Sequence, residues 1–111
     1  MGVDLTVYTV VGVRITDKKQ MAYVKEVIGD NYDYYQSREC DITVIDDGMC
    51  GEYIVIGSIV GSHCRYEDVA ATYTSIGFLN SMFEDMPEMI KEEFPDLEFK
   101  EISLISFNHY S

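Results

Sequence analysis

The chain has 111 residues, 47% of them apolar, with 20 acidic against 8 basic side chains and a formal net charge of −12. That length suits one domain, and the ordinary apolar fraction excludes a disordered polyanion. The acid excess argues against nucleic acid or an anionic membrane as a direct partner, and no apolar run approaches the ~20 residues that span a bilayer.

Val3 to Ile15 alternates with period two and is rich in β-branched residues, which predicts a long strand with one buried face. Gly12 within it marks a bulge or a close backbone approach. Thr16 is a cap and Asp17 a first-turn acid for a helix whose stripe is Met21, Val24, Val27 and Ile28, stopped by Gly29. Four of the eight bases (Arg14, Lys18, Lys19, Lys25) fall here, leaving one end less acidic. Asp30 to Ser37, with Tyr32, Tyr34 and Tyr35, reads as a loop.

Cys40 to Ile45 predicts a short strand, then a turn through Asp46, Asp47, Gly48 and Gly51. Tyr53 to Val60 predicts a central strand ended by Gly61 and Ser62. From about Tyr66 the period turns helical through Val69, Tyr73, Ile76, Leu79 or Asn80, Phe83, Met86 and Ile90. Pro87 predicts a break near Glu84 to Met86 and a short second helix to about Glu93. Leu97 to Phe107 predicts the last strand, slipping near Ser103. The expected fold is α+β: a single domain, residues 1–111, with a four-stranded antiparallel sheet, helices on one face and βαββαβ ferredoxin-like order. The other sheet face is left open to water or a partner.

Cys40, Cys50 and Cys64 are odd in number and match no zinc spacing, so they read as reduced thiols of a cytoplasmic protein. His63 and Cys64 are adjacent and point opposite ways in extended chain, a poor ligand pair. His109 reads as a solvated tail residue. No glycine-rich phosphate loop or catalytic motif is present, so the expectation is no enzyme, no metal and no cofactor.

The distinctive feature is the stretch from Glu84 to Glu101, where eight acids face two bases and half of the net charge resides. Glu84, Asp85, Glu88, Glu92 and Glu93 lie on or beside the short helix, with Asp96 just after it. Carboxylates so spaced imitate a nucleic-acid phosphate strand and suit a basic groove on another protein; the bland alternative is a solubilising helix face. Tyr32, Tyr34 and Tyr35 form a second candidate contact surface.

The opening from Met1 to Thr16, with Gly2, Asp4, Tyr8, Gly12 and Arg14, resembles small uncharacterised acidic proteins of tailed bacteriophages. That resemblance implies a role in the cytoplasm of an infected bacterium, where such proteins bind and block a host enzyme or defence complex. It carries over no functional residues. The expectation is therefore a small acidic inhibitor or modulator whose partner has a basic, nucleic-acid-handling surface. The alternatives are a ligand-binding or catalytic domain using the open sheet face or a cleft near His63, and a self-associating module such as a homodimer.

Overall fold

The structure, a computed structural model, describes residues 5–29, 42–47, 50–64 and 74–110. Tyr32, Tyr34 and Tyr35, Cys40, and the first part of the helical period predicted from Tyr66, as far as Tyr73, lie outside the described residues. Along the described chain come β1 (Leu5–Ile15), α1 (Lys18–Ile28), β2 (Thr43–Asp46), β3 (Ile54–Cys64), α2 (Ile76–Glu93) and β4 (Ser103–Tyr110). The strands form one sheet in the order β2-β3-β1-β4, and every neighbouring pair is antiparallel.

Alternation decides the two faces of this sheet. Val13 and Ile15 of β1, Val44 of β2, and Ile54 and Ile56 of β3 point to one side. There they bury Met21, Val24 and Ile28 of α1 and Met86 and Ile90 of α2, so both helices cover the same face. Phe94 and Leu97, just beyond α2, close this core.

Several boundaries depart from the periodicity. Asp17, not Thr16, is the N-cap of α1, and its side chain makes no capping bond. Gly29 does end that helix, at φ 52°, in the left-handed region that favours glycine. Val27 stays partly exposed, off the buried stripe. β3 runs past Gly61 and Ser62 to Cys64, because a bulge at Val60 absorbs the misfit between Thr9 and Val10 of β1. The Thr74 hydroxyl donates to the Val60 carbonyl at 3.3 Å and ties the entry of α2 to that bulge.

The expected break before Pro87 is absent, and α2 is continuous from Ile76 to Glu93 with Pro87 inside. An interior proline costs about 3 kcal/mol. Met86 and Ile90 are fully buried on either side of it, each contributing about 1.5–3 kcal/mol, which offsets that cost. The last strand begins at Ser103 rather than Leu97. Leu97, Phe99 and Ile102 serve the core from an irregular segment instead. That segment is held by α1: the Asp96 amide donates to Tyr23 Oη at 3.0 Å, and the Glu98 amide to Gln20 Oε1 at 3.2 Å.

Candidate partner-binding surfaces

The acidic residues of α2 divide into two groups. At about 100° per residue, Glu84, Asp85, Glu88 and Glu92 fall in a stripe about 100° wide, opposite the buried Met86 and Ile90. All four are exposed, and none takes part in an ion pair among the described residues. Glu93 is half-buried, turned towards the core flank and already engaged. Asp96 is exposed, but it lies beyond the helix in the segment anchored by Tyr23. The structure thus gathers four of the six predicted acids into one row.

The helix-free face of the sheet, expected to stand open to water or a partner, carries a packed cluster of its own. Tyr8, Val10, Arg14, Ile45, Tyr53, Val55, Ile105, Phe107 and His109 belong to it by register. Ile54, beside Tyr53, pairs with Ile15, whereas Phe107 pairs with Tyr8. In a flat sheet at about 3.3 Å per residue those positions would be more than about 20 Å apart. Yet the Tyr53 and Phe107 rings have centroids 5.7 Å apart. The sheet therefore curls over its helix-free face and encloses a second small core of Val10, Ile45 and Val55.

Glycine makes the curl possible. Gly12 and Gly57 face each other across β1 and β3, between Ser103 and Thr43, so this row across the sheet carries no large side chain. A Cβ on Gly12 would lie 2.0 Å from the Ile56 carbonyl oxygen, and one on Gly57 2.2 Å from that of Val11. Only glycine permits so close an approach.

The aromatic cluster in the concavity escapes sequence reasoning. His109 is not a solvated tail residue: it stands in β4, half-buried, with Nδ1 2.8 Å from Tyr53 Oη. Its ring meets those of Tyr8, Tyr53 and Phe107 edge-on. The Arg14 guanidinium lies 5.4 Å from the Tyr53 ring centroid, a cation–π contact. Burial, then the Asp47 carboxylate, raises the Tyr53 phenol above its ordinary 10.0, against the opposing pull of Arg14. Tyr53 is thus a neutral phenol at pH 7, able to donate to Nδ1 when the imidazole proton is on Nε2. The signal for His109 was present as the alternation Ile105, Phe107, His109, but the shifted strand boundary hid it.

Asp47 shapes the turn before Tyr53. Its carboxylate accepts from the Cys50 and Glu52 amides at 3.2 and 3.1 Å, and its carbonyl accepts from the Gly51 amide at 2.9 Å. Gly51 takes a φ of 65° there. Cys50 beside it is an exposed free thiol. His63 lines a cavity of about 260 Å³ with Thr9, Val60, Gly61, Thr74, Leu79 and Leu104. That is below the ~300–1,000 Å³ usual for small-molecule sites. Among the described residues no three of His, Cys, Asp and Glu gather as metal ligands, and no helix is long and apolar enough to cross a membrane. No protein-family model matches the chain, and comparison with curated proteins and with solved structures finds no similar protein.

Proposed function

We propose that this chain is a binding protein that inhibits or modulates a partner carrying a basic, nucleic-acid-binding surface. The observation that carries the reading is the carboxylate row Glu84, Asp85, Glu88 and Glu92, which has no ion-pair partner among the described residues, on a helix whose opposite side is locked into the core. A rigid row of like charges steers association with a basic groove, and the attraction is screened by salt. The resemblance of the first strand to small acidic phage proteins supports an action in a bacterial cytoplasm, against a host nucleic-acid or defence enzyme. We further infer a ferredoxin-like split βαβ fold. Central β1 and β3, antiparallel neighbours throughout and both helices on one face support it.

The test is a tagged capture from bacterial lysate, followed by binding measurements on the purified partner across a salt series. The Glu84→Lys/Glu88→Lys/Glu92→Lys variant halves the net charge to −6 while leaving every buried residue in place. Expected are an affinity that falls steeply with salt, competition by duplex DNA, and loss of binding in the triple variant. Unchanged binding by a variant with native circular dichroism would reject the acidic row as the contact.

A further inference from the structure

We propose that two copies of this chain pair edge to edge through β4, extending the sheet across a two-fold axis. Among the described residues β4 is the outermost strand and pairs only with β1. Protein edges are ordinarily protected by charge, proline, a bulge or shortness. Ser103–Tyr110 has none of these: eight residues without a charged side chain or proline, in unbroken register with β1. The opposite edge is protected in the usual ways, since β2 has four residues, ends in Asp46 and is followed by Asp47.

The occupant follows from charge and symmetry. A chain of net charge −12 repels its own copies through most approaches. The uncharged β4 edge brings no carboxylate opposite another, and an antiparallel strand pair about a two-fold is self-complementary. A basic partner gains nothing from this strand that the α2 row does not offer better. The helix side of the edge also has apolar surface to cover, because Leu104 is 53% exposed. With Ser106 on the axis, Ile105 of one copy faces Phe107 of the other, continuing the apolar row of the concave face. With Phe107 on the axis, Ser106 faces Asn108.

Sedimentation equilibrium over a wide concentration range tests the pairing. The native chain is expected to reach twice its 12.7 kDa mass. Ser106 and Asn108 are exposed. Glutamate at both sets acid against acid in either register, so Ser106→Glu/Asn108→Glu is expected to stay at one chain mass with unchanged circular dichroism. Mixing it with Ser106→Lys/Asn108→Lys is expected to restore the doubled mass as a heterodimer. A native chain that sediments as a monomer at every concentration overturns the proposal. So does a glutamate variant that still dimerises, or a mixture that never does.

Discussion

Replacing Gly12 by alanine should remove a large part of the stability of this domain. The new Cβ would meet the Ile56 carbonyl oxygen at 2.0 Å, Gly57 Cα at 2.7 Å and Ile56 carbonyl carbon at 2.8 Å. Real Cβ contacts essentially never fall below 3.0 Å, so the β1 and β3 backbones must part by about 1 Å. All three obstacles are backbone atoms of β3, the neighbouring central strand, with no flexible side chain to swing away. A ladder bond near 2.9 Å lengthened that far no longer counts as a hydrogen bond. Losing two such bonds costs about 1 kcal/mol each, and overpacking adds about 1–3 kcal/mol. The total of about 3–5 kcal/mol is a fifth or more of a typical domain stability of about 5–15 kcal/mol. Urea unfolding followed by circular dichroism measures it, with a Tm lowered by more than about 10 °C as a second readout. Gly77 provides the internal contrast. It lies in the first turn of α2 with nothing within 4 Å of an added Cβ, so Gly77→Ala should stabilise by up to about 1 kcal/mol. A Gly12→Ala protein as stable as the native one would refute the close approach, and with it the curl that assembles the aromatic concavity.

Phe94→Ala should cost about 3–5 kcal/mol in the same assay, because Phe94 is fully buried beneath the end of α2; a loss under 1 kcal/mol would contradict that placement. Tyr53→Phe should act on pH dependence. The folded phenol keeps its proton above the pH where the unfolded one releases it, so unfolding above pH 10 releases a proton and stability falls as pH rises through the folded pKa. Below pH 10 Tyr53 adds no slope. The Phe variant should lose this alkaline slope and about 1 kcal/mol at neutral pH, from the missing bond to His109 Nδ1. Identical alkaline unfolding curves would reject the assignment.

Much of the architecture was legible because local patterns and the sheet agreed. The alternation of β1, the stripe Met21, Val24 and Ile28, and the stop at Gly29 all follow from periodicities that survive packing. Pro87 misled because its cost is local, whereas the burial of Met86 and Ile90 that offsets it is tertiary. The acidic row was half legible: composition marked the region, but only a continuous helix separates Glu84, Asp85, Glu88 and Glu92 from the engaged Glu93.

By itself, the sequence determined charge, length and the apolar periods, and with them an α+β chain with one strongly acidic helix. Gly12 was visible as a special position, but its partner Gly57 lies 45 residues away, and only strand pairing sets the two opposite each other. The same pairing brings Tyr53 to His109 and leaves β4 at an uncharged edge. Local periodicity reports which face a residue prefers. Register and curvature arise from contacts between distant segments, so they emerge only when the sheet closes.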